Sequence, residues 1–421
     1  MISIRTAIGL MTAVCLTATA AAAPQAAPTA DTSSQDAEQG RIGITPSPVQ
    51  IISDNEIIID GVTYTSWDEV EQTGYFQNLI NRCAAHPSGP DIGLRGSGAA
   101  CSFRRTNVEA QYEPDQGLLR IPIVVHVIQR TNGTGFINED RVRSQIDILN
   151  EDFLALNNSN GEDGDNAQIE FFLATEDPQG NPTNGITYST NNTWFNDGGS
   201  YWNSLAWDTS RYLNIYSNSA SGALGYVPDL PQGGIAGSSS DRVVVLYSTF
   251  GRNAPFSPFN LGRTGTHEVG HYFGLYHTFN GGCQSVSGCA TNGDRLCDPT
   301  PESFPTSGCP GARTSCGLPA PIDNYMDYSD DLCMRRFTPN QINRMRCTIE
   351  HYRSNLAVTG PSACNSAAVA EPFGVLALAD INGYVTAFAT QDAAADLAAP
   401  AGVFDLADIQ AFIVGFNAGR P

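Results

Sequence analysis

The stretch THEVGHYFGLYHTF, Thr266 to Phe279, places three of the chain's six histidines within eleven residues. On an α-helix, residues four apart are separated by about 400°, so they lie only about 40° apart around the axis. His267 and His271 therefore point the same way and can grip one metal ion with two imidazoles. Glu268 sits beside that face, where it can hold a metal-associated water. His277 would project elsewhere if the helix simply continued. Gly274 supplies the bend, because glycine takes the left-handed conformation that ends a helix, and after it His277 can return to the same ion. Three protein nitrogens leave a coordination position open, which marks a catalytic rather than a structural zinc site. Zinc lowers a water's pKa to about 7 and polarises a carbonyl, while Glu268 removes the proton and carries it to the leaving amine. The competing explanation is three unrelated histidines on a buried helix. The added Gly-x-x-His spacing weighs heavily against it.

A helix so placed needs a scaffold. LLRIPIVVHVIQ, Leu118 to Gln129, is a strongly apolar β-run. The following segment carries Val142, Ile146, Leu149 and Phe153 at helical spacing, with Asn138 as N-cap. Further strands are expected at Ile169–Ala174, Tyr212–Ser217 and Arg242–Ser248. Gly222–Pro228 fits an edge strand stopped by its proline. A cysteine- and proline-rich region follows the histidine helix. A late helix starts with Thr338 as N-cap and Pro339 at its first position. This order implies an α/β (α+β) domain of two unequal lobes over residues 114–358.

The chain of 421 residues carries 43 Asp+Glu against 22 Lys+Arg, a formal charge of -21. Nucleic-acid and anionic-membrane partners demand a basic surface, so both are excluded. The first 23 residues have the charge, apolar run and small-residue end of an export signal. No other stretch approaches the twenty apolar residues of a membrane span. An extracellular location follows. Removing the signal takes Cys15 and leaves ten cysteines, and an exported chain with that density uses disulfides rather than zinc thiolates. Residues 24–60, rich in Ala, Pro, Ser, Thr and Asp, have the composition of a disordered leader.

HEVGHYFGLYHTF, followed downstream by DNYMDYSDDLC, resembles the metzincin metallopeptidases, with their HExxHxxGxxH signature and methionine turn. The fuller wording, through MRRFTPNQINRM, is similar to the pappalysin family and its ulilysin-like members. The resemblance covers about Arg120 to His351. It implies a zincin-like fold and endopeptidase activity on proteins or peptides. It also implies His267, His271 and His277 as zinc ligands, Glu268 as general base and Met326 as the floor under the metal. Tyr328 is a candidate to stabilise the tetrahedral intermediate, or a packing tyrosine. Asp331 matches an acidic residue of the specificity pocket, which implies cleavage on the N-terminal side of Arg or Lys; Asp330 is its neighbour, and a solvated acidic loop is the alternative.

The resemblance further implies pairs Cys283–Cys316 and Cys309–Cys333. Cys289 with Cys297 looks like a local pair, and Cys347 with Cys364 a fastening of the late helix. GDRLCDPTP resembles a calcium segment, with Asp294 and Asp298 as oxygen ligands. In the leader, Arg82-Cys83 resembles the Arg-Cys pair of latent propeptides. A Cys83 thiolate on the zinc and a Cys83–Cys101 disulfide are both open.

Segments FGVLALADINGYVTAF and AGVFDLADIQAFIVGF repeat at a period of 28, a paired-helix module resembling the dockerin type. Its second copy keeps Asp396, Asp405 and Asp408; its first keeps Asp380 but has Ala368 and Ala377. It fits either an anchoring role or a tether without a partner. The expected organisation is signal 1–23, propeptide 24–113, catalytic domain 114–358, linker 359–370 and repeat module 371–421. The leading function is a secreted zinc endopeptidase made as a zymogen. The alternatives are a surface-tethered adhesion protein with a structural zinc site, and a zinc amidase acting on small substrates.

Overall fold

The computed structural model describes residues 49–59, 61–75, 82, 83, 85, 100–283, 288–358, 378–391, 395 and 404–417. The signal, the linker, Cys364, Ala368, Ala377 and Asp396 lie outside them.

Structure in the leader begins earlier than its composition indicates. Strands β1 (Gln50–Ser53), β2 (Glu56–Ile59) and β3 (Val62–Tyr64) form an antiparallel sheet, and helix α1 (Trp67–Gln72) follows. The runs are too short to show a period. What orders them is burial: Ile51, Ile57, Ile59, Trp67 and Val70 all belong to the main hydrophobic core.

The body is built on β4 (Leu119–Gln129), buried from Arg120 through Ile128. A strand apolar on both faces belongs at the centre of a parallel sheet covered on both sides. Helix α2 (Glu139–Phe153) follows, with the Asn138 side chain accepting from the Arg141 amide. Strands β5 (Ile169–Leu173) and β6 (Ile186–Thr190) pair in turn with the two halves of β4. Short helices α3 (Asn192–Phe195) and α4 (Trp202–Leu205) lead to β7 (Leu213–Asn218), which pairs parallel with β4 on its other side. Sequence reading misses β6, whose alternate residues are exposed and whose flanks are rich in Asn and Thr. Strand β8 (Gly225–Tyr226) lies antiparallel at the edge beside β9 (Val243–Leu246), which itself runs parallel to β7.

Helix α5 (Arg263–Tyr272) carries two of the histidines and packs beneath β9 and β8. The hairpin β10 (Thr314–Ser315) and β11 (Leu318–Pro319) belongs to the irregular lobe. Helix α6 (Pro339–Tyr352) opens on a capping box: Thr338 accepts from the Gln341 amide, and the Gln341 side chain returns to the Thr338 amide. Helices α7 (Leu378–Thr390) and α8 (Leu406–Asn417) pair through stacked Tyr384 and Phe412, whose ring centroids lie 4.0 Å apart. Asp408 accepts from the Asp405 amide and Asp405 from the Ala407 amide, so both carboxylates cap the start of α8. Among the described residues no helix is long and apolar enough to cross a membrane.

One buried carboxylate ties the elements that carry the histidines. Asp152, at the end of α2, meets Arg263 Nη2 at 3.1 Å, Thr266 Oγ1 at 2.6 Å and the Tyr325 hydroxyl at 2.8 Å. It thus joins α2 and α5 to the methionine turn.

Four disulfides form among the described residues. Cys283–Cys316 and Cys309–Cys333 staple the irregular lobe as the resemblance implies, and Cys289–Cys297 forms as the expected local pair. The pairing of Cys347 with Cys364 is corrected: Cys347 bonds Cys101. On α6, Cys347 faces inward against Ala100 and Tyr112, which puts the two Cα atoms 6.0 Å apart, within disulfide reach. The Cys83–Cys101 alternative falls with it, and Cys83 is a free, buried thiol.

Asp152→Ala leaves the buried Arg263 guanidinium with only its 3.9 Å contact to Glu151 for charge pairing, and denaturant unfolding is expected to lose about 3–5 kcal/mol. Asp163→Ala, at an exposed pair with Arg335, is expected to lose less than about 1 kcal/mol.

Candidate metal centre

Helix α5 ends where the sequence places its bend. Phe273 caps it, and Gly274 takes φ +87°. A Cβ at Gly274 would stand 2.6 Å from Gln232 Nε2 and 2.8 Å from Thr348 Oγ1, so space as well as conformation demands glycine. The chain then returns, and the three imidazoles converge. His267 Nε2 lies 3.1 Å from His271 Nε2 and 3.2 Å from His277 Nε2, and the last two are 3.0 Å apart.

The outer nitrogens fix the tautomers. His267 Nδ1 faces the Tyr325 carbonyl at 2.6 Å, and His271 Nδ1 faces the Leu275 carbonyl at 2.8 Å. A carbonyl only accepts, so each Nδ1 carries the hydrogen and each Nε2 turns a lone pair inward. Burial, then the neighbouring His271, hold His267 well below the ordinary histidine pKa, in the neutral form a ligand needs. Ligand nitrogens on a tetrahedral zinc at 2.0–2.1 Å stand about 3.3–3.4 Å apart. The donor set fits zinc.

The fourth direction is occupied by the leader. Cys83 Sγ and the three histidine nitrogens all lie within 4.8 Å of one another. The thiol is also 3.6 Å from Glu268 Oε2. Burial and the nearby Glu268 charge push the thiol's pKa up, and burial raises Glu268 to about 8. Cys83 is held there by backbone: it bridges Gly225 of edge strand β8 in parallel, and the Leu224 amide donates to the Arg82 carbonyl at 3.0 Å. Gly225 must be small. Its Cβ would stand 2.7 Å from Glu268 Cγ.

Met326 is fully buried beneath α5, where its Sδ would be 2.5 Å from a Cβ on Gly270. The Tyr328 ring centroid lies 5.0 Å from that of His277, and its hydroxyl donates to the Cys83 carbonyl at 3.4 Å. Asp331 is buried and accepts from the Leu261 and Arg263 amides at 2.8 and 3.3 Å; burial raises its pKa to about 6. It lines the same cleft as Arg82 and Cys83, but Arg82 Nη2 reaches Asp330 instead, at 3.6 Å.

The calcium candidates Asp294 and Asp298 each accept hydrogen bonds from the protein. Asp294 accepts from the Leu296 amide, and Asp298 accepts from Thr338 Oγ1 and the Asn340 amide at the head of α6. Among the described residues, the cysteine–histidine group is the cluster of three or more potential ligands close enough for an ion.

Sequence reading misses the supports. Glu302, fully buried, accepts from Thr278 Oγ1 at 2.8 Å and from Arg313 Nη1 at 2.8 Å. Thr278 follows His277, and its amide donates to the Met326 carbonyl at 3.2 Å. Thr306 donates to Glu302 through its hydroxyl and to Asp327 through its amide. The bend and the methionine turn thus share one polar brace. A lone Glu in a proline-rich segment gives no spacing signal for it.

Three histidines on a helix and its following bend, beside a glutamate and under an edge strand, define a metallopeptidase centre. The family profile described as Peptidase_M43: Pregnancy-associated plasma protein-A matches residues 200–350. An extracellular metalloprotease of Colletotrichum graminicola is 36% identical over 246 residues, covering 56% of this chain and 78% of that protein. Another, of Verticillium alfalfae, is 32% identical over 285 residues, covering 65% and 90%. A Tannerella forsythia promirolysin mutant structure is 34% identical, covers 58% of this chain and 86% of its own, and has a TM-score of 0.49. The chain belongs to the M43, or pappalysin, peptidase family. It is an extracellular metalloendopeptidase.

Glu302→Ala is expected to weaken zinc retention about tenfold in a chelator competition, the size of other outer-shell losses around metals. Unchanged retention would show that the brace does not position His277.

Proposed function

We propose that this endopeptidase is zinc-dependent, is held latent by its own leader, and cleaves on the N-terminal side of basic residues. The observation that carries this reading is Cys83 meeting the three histidines and Glu268 in one cleft. His267, His271 and His277 hold the metal. When bound, zinc polarises the scissile carbonyl and brings a water's pKa to about 7.

Glu268 takes the water's proton and delivers it to the leaving amine. Its Oε2 already faces the position that Cys83 fills, so the leader must leave before water can enter. Tyr328 aims its hydroxyl at the Cys83 carbonyl, a stand-in for a substrate carbonyl, and in catalysis donates to the developing oxyanion. Gly225 lets a bound chain approach Glu268 closely. Met326 fills the space under α5 and keeps the histidine platform rigid.

Substrate preference follows from what Arg82 does. Its guanidinium lies 4.3 Å over the Phe259 ring, donates to the Ser329 carbonyl and pairs with Asp330. An aromatic wall with a carboxylate beyond it selects a long cationic side chain. Asp330 supplies the direct charge. Asp331 holds the head of α5 and adds its field.

Glu268→Ala is expected to lower kcat/KM by about 10²–10⁴-fold, with zinc content and unfolding temperature unchanged. Retained activity would remove Glu268 from the chemistry. Asp330→Asn is expected to lower the preference for Arg over Leu peptides at least about tenfold, one charge-assisted bond's worth; an unchanged ratio would place the selectivity elsewhere. In the unprocessed chain, the Cys83 thiol is expected to resist a disulfide reagent until a chelator strips the metal. Immediate reaction would contradict thiol latency.

A further inference from the structure

Ahead of the segment that Cys101 ties to α6, the leader's described residues touch the catalytic body at two separate places, and only one is the metal cleft. The second contact is a folded lobe, β1 to α1. Trp67, 3% exposed, stacks on Phe256 at 4.8 Å and meets Tyr247 edge-on at 6.2 Å. Backbone and side-chain polar groups add a directional frame. Arg130 Nη1 donates to the Ile51 carbonyl at 2.8 Å, and Asn132 Nδ2 donates to the Ile52 carbonyl at 3.0 Å. The Tyr247 hydroxyl donates to Asp54 at 2.6 Å, and the Arg141 charge also acts on Asp54.

Segments below about 40 residues rarely hold a fold on their own core. This lobe contributes its isoleucines and Trp67 to the body's core cluster rather than forming a separate one. Its order therefore depends on the body's surface, as in coupled folding and binding. Rings connect the two contacts: Trp67 to Phe256, Phe256 to Phe259 at 5.3 Å, and Phe259 to Arg82.

We infer that the face formed by Arg130, Asn132, Tyr247 and Phe256 is a docking surface for the lobe spanning residues 49–75, and that the lobe stays bound as a non-covalent subunit after the chain is cut between residues 85 and 100, ahead of the Cys101–Cys347 disulfide. This rests on the latency reading for what the lobe holds in place, but the docking itself does not need the metal. Two linked contacts raise the local concentration of the blocking segment. Breaking either alone leaves the other to re-engage it.

The test uses the full chain with a specific protease site inserted between Gly93 and Leu94, cut after folding and run on a sizing column. The leader fragment is expected to co-elute with the body, and to do so after zinc removal by a chelator and with Cys83→Ala. Trp67→Ala is expected to weaken retention at least tenfold. Tyr247→Phe, which keeps the ring and removes the Asp54 bond, is expected to weaken it less and serves if Trp67→Ala does not fold. Release of the fragment by the chelator or by Cys83→Ala alone would overturn the proposal, as would retention unchanged by both lobe variants. Loss of thiol protection at Cys83 with the lobe still bound would instead sink the latency reading and leave the docking surface standing.

Discussion

Three lone pairs aimed at one point cannot satisfy one another, and the site depends on that constraint. The inward Nε2 of His267 and that of His271 are acceptors because their outer nitrogens donate, to the Tyr325 and Leu275 carbonyls. Without a cation the cluster is a concentration of like dipoles in a buried space. With one, the desolvation and crowding are offset at once. The surrounding polar braces resist the histidines' tendency to separate. Asp152 anchors the residue whose carbonyl holds His267, and Glu302 anchors the residue after His277.

The leader exploits the same geometry. A thiol can reach the open side only if backbone carries it there, and edge strand β8 supplies that rail. The parallel bridge at Gly225 puts Cys83 beside Glu268, and Arg82 then falls into the acidic end of the cleft. One short segment thus sets a thiol beside Glu268, a carbonyl under the Tyr328 hydroxyl and a guanidinium against Asp330. The folded lobe behind it adds buried aromatic surface away from the metal.

The chemistry was the most legible part of the sequence. Helical spacing and one glycine sufficed to place His267, His271 and His277, because those rules are local. The caps at Asn138 and Thr338 and the apolar run of β4 were legible for the same reason. Long-range partnerships were not. Cys347 chooses Cys101 across 246 residues because α6 turns it inward, a fact of packing that no spacing encodes. The leader's strands carry no periodic signal of their own because their burial is lent by the body.

The coordination of the metal in the unprocessed protein tests this account most directly. X-ray absorption at the zinc edge is predicted to show one zinc per chain with three nitrogen ligands and one sulfur near 2.3 Å. A site with no zinc, or a zinc without sulfur in its first shell, would contradict it.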